Sequence, residues 1–393
     1  MLIERKLYGQ IKPFLESKEA LVITGMRRVG KTSLLQYIYE QIPDQNKILL
    51  DLENPLNQQY FEATNYELVK SSLEFLGVDF NRKAYIFLDE IHLIKNLPRV
   101  LKYLIDHYPV KFFLTGSASF YLKNLFTESL VGRKYLFELF PLDFEEFLRF
   151  KQSRLHLPGE RSKIDRPLFD TLFPLYKEYL YFGGFPDVVL KKTLEEKKKS
   201  LGDIFTSYFQ LEVLRLGDYR KNDVIRNLIL LLMQRIGSKV DLTKLASELG
   251  ISRITLKEYL AFLEGTYFVK LVRPFSRSRD LEIRKIPKVY LCDSGLAGHH
   301  AQLGEGNLFE NNVFQNLRIR GEVNYYERKS GGEIDFILNK KIGLEVKMSP
   351  AKRDLEKLEK LGKDIGLKEV QLISWNYSAD LIKSGKLNFA FNL

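Results

Sequence analysis

The sequence predicts an α/β protein whose N-terminal part is built on a parallel sheet. Five short apolar runs follow one another there, and helical segments such as SLLQYIYEQI lie between them. The runs are ALVIT (20–24), KILLDL (47–52), AYIFLDE (84–90), VKFFLTG (110–116) and YLFELF (135–140). Their hydrophobicity is continuous rather than alternating, as a sheet covered by helices on both faces requires. Strands that alternate with helices in this way form parallel sheets.

The remainder of the chain changes pattern twice. Residues 146–235 predict one helix after another. In residues 242–275 a helix ends near Gly250, and a second begins at Ser252, whose side chain can cap it. The strand-like YFVKLVRP follows, and this order is typical of a winged helix-turn-helix. The last part has the order α-β-β-β-α-β, with helices near 308–320 and 352–365. The predicted divisions are 1–145 (sheet domain), 146–235 (helical lid), 236–280 (winged helix) and 281–393 (C-terminal α/β domain).

Composition narrows the class of protein. The formal net charge of +11 favours a polyanionic partner such as nucleic acid, although a lysine-rich surface explains it equally well. The single cysteine, Cys292, excludes an intrachain disulfide and a zinc ribbon. The N-terminus lacks a signal-peptide core, and the longest apolar run, LILLLM (228–233), is far too short to cross a membrane. We therefore expect a cytoplasmic protein without a membrane segment.

A glycine-rich phosphate-binding loop follows the first apolar run. The motif is Gly25-x-x-x-x-Gly30-Lys31-Thr32, with a strand before it and a helix after it. The glycines let backbone N–H groups approach phosphates, and the helix N-terminus adds its positive dipole end. We expect Lys31 to contact the β- and γ-phosphates of ATP and Thr32 to ligate Mg²⁺. The predicted nucleotide-binding residues also include Arg28 and Ser33.

The third apolar run supplies the acids that such a loop needs. Asp89 ends the run and can hold the magnesium shell, and Glu90 can polarise the attacking water. Ser117, or Thr115, can sense the γ-phosphate, although Ser117 can equally cap the next helix. Arg133 is a candidate arginine finger that a neighbouring subunit of a homo-oligomer would supply, and an ordinary surface arginine is the alternative.

Together these segments carry a specific resemblance. The P-loop, FLDEIHLI, LTGSAS, LVGRKYLFELFPLDFEEF and FGGFP resemble a family of archaeal and bacterial AAA+ ATPases with a C-terminal domain of poorly defined function. KVYLCDSGL (288–296) resembles the second signature of that family. The resemblance covers essentially the whole chain. It implies an ATPase that prefers ATP to GTP, and it implies little about the substrate.

A short hairpin near the C-terminus gathers charged residues on one face. In EIDFILNKKIGLEVK (333–347), a turn centred on Lys340 places Asp335 opposite Glu345 and Glu333 opposite Lys347. The apolar residues of both strands then share the other face. Two carboxylates across a ladder repel unless a cation lies between them. A divalent metal would relieve this repulsion, and Lys347 could orient a nucleophile.

This arrangement resembles the PD-(D/E)xK nuclease core. The matching residues are Asp335 and Glu345-x-Lys347 on the α-β-β-β-α-β order, and Glu310 in the preceding helix corresponds to an additional metal ligand. The resemblance implies a restriction-endonuclease-like domain with a divalent metal. Whether such a domain cleaves DNA or only binds it stays open at this point.

The predicted winged helix offers a second contact with nucleic acid. Its second helix carries Arg253, Thr255 and Lys257, and its wing carries Lys270 and Arg273. Contacts from these residues to phosphates would be sensitive to salt and indifferent to sequence. A spacer or a protein-binding surface is the alternative.

The leading hypothesis is a Mg²⁺-dependent ATPase that acts on nucleic acid through a nuclease-like C-terminal half. The alternative is an ATP-dependent switch whose C-terminal half binds a protein partner without nuclease activity. A metabolic kinase with the same P-loop is disfavoured by Glu90 and by the lack of an evident small-molecule lid.

Overall fold

The computed structural model describes residues 2–63, 65–116, 130–158, 164–214, 222–276, 278, 280, 282, 285–328 and 331–393. The chain forms two compact units. The first consists of Met1–Phe140 and Gly265–Tyr267, and the second of Pro141–Glu264 and Phe268–Leu393. The finer predicted division into four segments stays a prediction. In the described ranges, every helix is too short or too polar to cross a lipid bilayer.

The first unit contains the predicted parallel sheet. Its strands are β1 (Ala20–Thr24), β2 (Lys47–Asp51), β3 (Ala84–Asp89), β4 (Val110–Gly116) and β5 (Lys134–Glu138). They pair in the order β2-β3-β4-β1-β5, and every pairing is parallel. All five apolar runs of the sequence therefore form strands, as predicted. The three interior strands, β3, β4 and β1, are buried along their whole length.

Helices cover this sheet. They are α1 (Lys6–Ile11), α2 (Lys31–Gln41), α3 (Pro55–Gln59), α4 (Tyr66–Phe75) and α5 (Leu97–His107). The core on one side joins side chains of the sheet to α4 and α5, including Val69, Leu73 and Leu101. Burial of such side chains contributes about 1.5–3 kcal/mol each. This core fixes the strand ends from which the polar residues of the site emerge.

The second unit begins with helices. They are α6 (Phe144–Phe150), α7 (Arg166–Phe182), α8 (Pro186–Leu190), α9 (Leu194–Tyr208), α10 (Asn222–Gln234), α11 (Leu242–Glu248) and α12 (Arg253–Gly265). The backbone N–H of Thr255 donates to Ser252 Oγ at 3.0 Å, so the predicted cap at the start of α12 is present. After α12, β6 (Val269–Val272) pairs antiparallel with β7 (Lys288–Leu291).

The C-terminal part of this unit is a mixed five-stranded sheet with helices. The elements are α13 (Ser294–His300), α14 (Glu305–Arg318), β8 (Val323–Glu327), β9 (Glu333–Leu338), β10 (Ile342–Lys347), α15 (Lys352–Ile365), β11 (Glu369–Ser374), α16 (Ala379–Lys383) and β12 (Leu387–Phe389). The strand order is β12-β11-β10-β9-β8. Ile342 pairs with Leu338 and Leu344 with Phe336, which is the register that a turn centred on Lys340 predicts.

The two sequence signatures FGGFP and CDSGL meet in the second unit. Asp293 is 1% exposed and accepts hydrogen bonds from Gly184 N at 2.8 Å and Leu296 N at 3.0 Å. Burial raises the pKa of Asp293 to about 6, although these backbone N–H groups oppose the shift. Gly295 approaches so closely that a Cβ there would lie 2.1 Å from Phe182 C. These signature residues therefore join α7 to α13.

Candidate active site

The parallel sheet brings the P-loop and the Asp-Glu pair to the same edge. The loop follows the carboxyl end of β1, and Asp89 is the last residue of β3. β4 lies between these two strands in the sheet. In parallel α/β sheets, ligands bind beyond the carboxyl ends of the strands, at this edge.

The P-loop packs tightly against the end of the sheet. A Cβ at Gly25 would lie 2.2 Å from Leu139 O, so this position must be glycine. Lys31 begins helix α2 and is only 5% exposed. Its Nζ donates to Gly25 O at 3.1 Å and to Met26 O at 3.0 Å. The lysine is therefore held over the loop, at the N-terminal end of a helix dipole that favours anions.

Thr32 and Asp89 meet across the site. Thr32 Oγ1 donates to Asp89 Oδ2 at 2.7 Å, and Thr115 donates to the other oxygen, Asp89 Oδ1. Burial raises the pKa of Asp89 above its ordinary value, although both hydroxyl groups oppose that shift. A hydroxyl and a buried carboxylate are the oxygen ligands that Mg²⁺ accepts, so the predicted residues fit this metal chemically.

Glu90 is held as an ionised carboxylate in the turn after β3. Its backbone is left-handed, with φ of 54°, and its N–H donates to Thr115 Oγ1 at 3.2 Å. Burial alone raises the pKa of Glu90, but His92 and the positive charge of Lys31 outweigh burial and lower the pKa to about 2. Glu90 therefore carries its charge at neutral pH and can polarise a water molecule.

The other residues predicted for the nucleotide site are exposed or lie outside the described residues. Arg28 is exposed in the loop and has φ of 64°, and Ser33 is exposed on the first turn of α2. Ser117 lies outside the described residues. Thr115 is the alternative candidate for sensing the γ-phosphate, and it lies among the described residues. Its hydroxyl is hydrogen-bonded to Asp89 and to the backbone N–H of Glu90.

Arg133 lies just before the amino end of β5, whereas the P-loop follows the carboxyl end of β1. It precedes β5, and its carbonyl accepts from Ala20 N at 2.8 Å, at the start of β1. Its guanidinium donates to Asp106 Oδ1 at 2.8 Å and to Asp106 Oδ2 at 3.2 Å. The P-loop follows the opposite end of β1. A role for Arg133 in a neighbouring subunit stays a prediction.

Arg5 supports the P-loop, and sequence reasoning missed it. The side chain is 4% exposed, and it donates to Val29 O and Phe140 O, both at 2.7 Å. These hydrogen bonds tie the backbone of the P-loop at Val29 to the segment that follows β5 at Phe140. No local signal marks Arg5, because it lies before the first strand and far from the motif that it braces.

The hairpin in the second unit brings the predicted acids together. Asp335 Oδ2 accepts from Val346 N at 2.7 Å, and Glu345 Oε1 lies 2.7 Å from Lys347 Nζ. The other carboxylate oxygen, Glu345 Oε2, is shut off from solvent and has no hydrogen-bond partner among the described residues. Burial and then the charge of Asp335 raise the pKa of Glu345 to about 7.

Glu310 has protein partners that the sequence did not reveal. Tyr290 on β7 donates its hydroxyl to Glu310 Oε1 at 2.6 Å. Lys288, also on β7, lies 3.7 Å from Glu310 Oε1 and forms an ion pair with Glu333. The Lys288 side chain is only 7% exposed. Its positive charge therefore neutralises part of the acidic group, which consists of Glu310, Glu333, Asp335 and Glu345. Burial and then Asp335 raise the pKa of Glu310 to about 7.

The acidic group fits a divalent cation in its chemistry. Its members are carboxylates, and one oxygen of Glu345 lacks a partner. In the part of the chain that the structure describes, no three His, Cys, Asp or Glu side chains are grouped closely enough to hold a metal ion. Glu310 is hydrogen-bonded to Tyr290 in this structure, and a metal site formed by Glu310, Asp335 and Glu345 stays a prediction.

A basic cleft of about 770 Å³ lies between α12 and the β6–β7 pair. Its rim carries Arg253 and Lys257 on the helix and Arg273 and Lys285 on the facing segment. The carboxylates Asp241 and Glu264 also line the cleft, together with Leu260 and Leu271. Basic side chains therefore outnumber acidic ones in its lining.

A comparison with models of protein families agrees with the P-loop and the parallel sheet of the first unit. Residues 17–148 match the family model of an AAA domain, about one third of the chain. Residues 174–307 and 305–392 match two models described as domains of unknown function, DUF8612 and DUF4143.

Two relatives that match most of the chain are both named uncharacterized proteins. A protein of Methanocaldococcus jannaschii is 28% identical over 370 residues, which cover 89% of this chain and 80% of that protein. A protein of Haemophilus influenzae is 27% identical over 356 residues, which cover 86% and 84%.

Solved structures are more distant. A Walker-type ATPase of Pyrococcus abyssi has 16% identity and a TM-score of 0.45, covering 76% of this chain and 95% of that one. The Aeropyrum pernix ORC1 protein in complex with DNA has 14% identity and a TM-score of 0.37, covering 79% and 94%. These similarities are too low to transfer a property to this chain.

Residues 17–148 thus combine the match to an AAA domain with a P-loop and a parallel sheet. The two segments that follow match models whose function is unknown.

Proposed function

We propose that the protein is a Mg²⁺-dependent ATPase that acts on nucleic acid. One observation carries the ATPase part: Thr32 of the P-loop and Asp89 of β3 share a hydrogen bond of 2.7 Å. This contact brings the loop that holds phosphates to the acid that holds the magnesium shell. Lys31 supplies positive charge to the β- and γ-phosphates, and Glu90 polarises the water that attacks the γ-phosphate. Bound Mg²⁺ supplies neutralisation of charge on the phosphate oxygens.

The nucleic-acid part of the proposal is supported by the basic cleft. We interpret α11, α12 and the β6–β7 pair as a winged helix-turn-helix, whose second helix and wing form the two walls of the cleft. Arg253, Lys257, Arg273 and Lys285 then contact phosphates. Lysine and arginine contacts of this kind bind without sequence preference and weaken with salt. The net charge of +11 gives the same sign to the whole chain.

The C-terminal domain is proposed to be nuclease-like, with Asp335 and Glu345 as metal ligands and Lys347 beside the nucleophile. Oε2 of Glu345 has no hydrogen-bond partner among the described residues, and the pKa of that residue is raised; both support a role in cation binding. Lys288 already neutralises Glu333, which favours weak metal binding. Binding of DNA without cleavage is consistent with this arrangement.

The competing proposal is an ATP-dependent switch that binds a protein partner through the second unit. The apolar and basic side chains that line the cleft suit an acidic peptide as well as a phosphate backbone. Salt-dependent retention on DNA separates the two proposals, because the switch requires none.

Replacement of Lys31 tests the ATPase proposal. In Lys31→Ala the cation that faces the phosphates is lost, so we expect ATP turnover to fall by about 10²-fold or more. The measurement is release of inorganic phosphate at saturating ATP and Mg²⁺, together with the affinity for a fluorescent ATP analogue. Lys102→Ala, an exposed lysine on α5, is the matched control and should keep the rate of the unaltered protein. Equal turnover in Lys31→Ala would contradict the proposal.

A further inference from the structure

His92 lies against the carboxylate of Glu90. It is part of the single turn Ile91–Leu93 that follows Glu90, and its side chain is only 4% exposed. Its Nδ1 atom lies 3.1 Å from Glu90 Oε2, without the alignment of a full hydrogen bond. Both atoms are shut off from solvent, and neither has a hydrogen-bond partner among the described residues.

A role in packing alone does not explain this arrangement. A buried imidazole nitrogen without a partner costs about 1–3 kcal/mol, and an apolar side chain of similar size would fill the same space without that cost. The imidazole contacts a carboxylate oxygen, Glu90 Oε2, that has no hydrogen-bond partner among the described residues. The contact is therefore best explained by what it does to Glu90.

His92 is also the neighbour of Glu90 with the most rigid connection. Lys31 and Arg27 act on the same carboxylate electrostatically, but both belong to the phosphate loop. Lys31 must turn from Gly25 O and Met26 O toward a bound nucleotide. His92 is two residues from Glu90, in a turn that the left-handed backbone of Glu90 starts. The short backbone between the two residues limits how far their side chains can move apart.

We propose that His92 is a positioning residue for hydrolysis, which holds Oε2 of Glu90 and leaves Oε1 to meet the attacking water. This inference rests on the proposed ATPase function. His92 touches neither the nucleotide nor the water, so it acts through Glu90. It changes the rate of the chemical step and leaves nucleotide binding unchanged.

The role requires a donor at the position of Nδ1, so the substitutions separate it from packing. Asparagine places its amide nitrogen near the position of Nδ1 and keeps a donor to Glu90. Leucine fills similar space without a donor. His92→Leu should therefore lower kcat by about tenfold or more with KM for ATP unchanged, since small displacements of a catalytic group are costly. His92→Asn should retain most of kcat.

The experiment compares kcat, KM and the affinity for a fluorescent ATP analogue in these variants, with thermal melting as a check on folding. His107→Leu and His107→Asn, at an exposed histidine on α5, are the matched controls. If His92→Leu does not fold, His92→Met replaces it. Equal kcat in the leucine and asparagine variants, or a raised KM at constant kcat, would overturn the inference. An unaltered protein without any ATP turnover would instead refute the proposed function, and the inference with it.

Discussion

Thr32 and Asp89 are 57 positions apart in the chain, yet a hydrogen bond of 2.7 Å joins them. Their chemistry could be anticipated because magnesium and phosphate require a hydroxyl, a carboxylate and glycines at fixed places in the chain. The residues that support them could not. Arg5 and Lys288 reach the sites through contacts that no local motif indicates, and the position of His92 inside FLDEIHLI does not by itself indicate its contact with Glu90. At the scale of the residue, the sequence predicts the groups that act and leaves out those that hold them.

The acidic group of the second unit shows the same limit. The sequence predicts that Asp335 and Glu345 share a face, because side chains alternate along strands. It does not predict that Lys288 and Tyr290 on β7 engage Glu310. These partners come from a strand outside the hairpin. They engage Glu310 in this structure, and its role as a metal ligand stays a prediction.

Manganese binding tests the proposed metal site. Asp335→Asn removes a negative charge but keeps an oxygen that can accept from Val346 N, so the hairpin should stay folded. We expect the affinity for Mn²⁺, measured calorimetrically without nucleotide, to fall by about tenfold or more, since a charged ligand is lost. Asp364→Asn makes the same change at an exposed ion pair with Arg328 and should leave the affinity unaltered. Identical Mn²⁺ affinity in Asp335→Asn and the unaltered protein would exclude this site.

At the scale of the element, continuous apolar runs were the most reliable signal. β1 has the predicted bounds, Ala20–Thr24, because a central parallel strand is buried on both faces and leaves no polar position inside it. β5 begins at Lys134, one residue before the predicted run, because it lies at the sheet edge and is partly exposed. The order of the strands followed from no pattern, since pairing depends on contacts distant in the chain.

The contact between α7 and α13 shows how a family signature can be structural. Asp293 accepts from Gly184, and Gly295 lies against Phe182. These residues look like a site in the sequence, because glycines and an acid cluster there. In the structure they let two segments approach within van der Waals distance.

Replacement of Gly295 tests this interpretation. In Gly295→Ala the new Cβ would lie 2.1 Å from Phe182 C, so α13 must move away from α7. We expect the free energy of unfolding to fall by about 1–3 kcal/mol, as for other overpacked sites. In Gly298→Ala, on the same helix, the new Cβ would lie 3.4 Å from Leu308 Cδ1 and 3.5 Å from Leu308 Cδ2, so this variant should be neutral or slightly stabilising. Urea unfolding measures both, and equal stability of the two variants would show that the close approach is not required.

At the scale of the whole molecule, two compact units divide the chemistry. The first holds the P-loop, and the second holds the basic cleft and the acidic group. The proposed function requires that a nucleic acid bound to the second unit changes turnover in the first. The net charge of the sequence suggests binding of a polyanion. It does not indicate whether such binding changes ATP turnover, because charge describes the protein surface and not the coupling between the two units.

The most direct measurement of the central claim is ATP turnover during titration with DNA at two salt concentrations. We expect DNA to raise the turnover of the unaltered protein, and salt to weaken the effect. The double variant Arg253→Ala, Lys257→Ala should need more DNA, and the salt slope of its DNA binding should fall by roughly 2, since each phosphate contact contributes about one. Lys352→Ala, Lys357→Ala removes two exposed lysines from α15 and is the matched control. Turnover that ignores DNA at both salt concentrations would contradict the account.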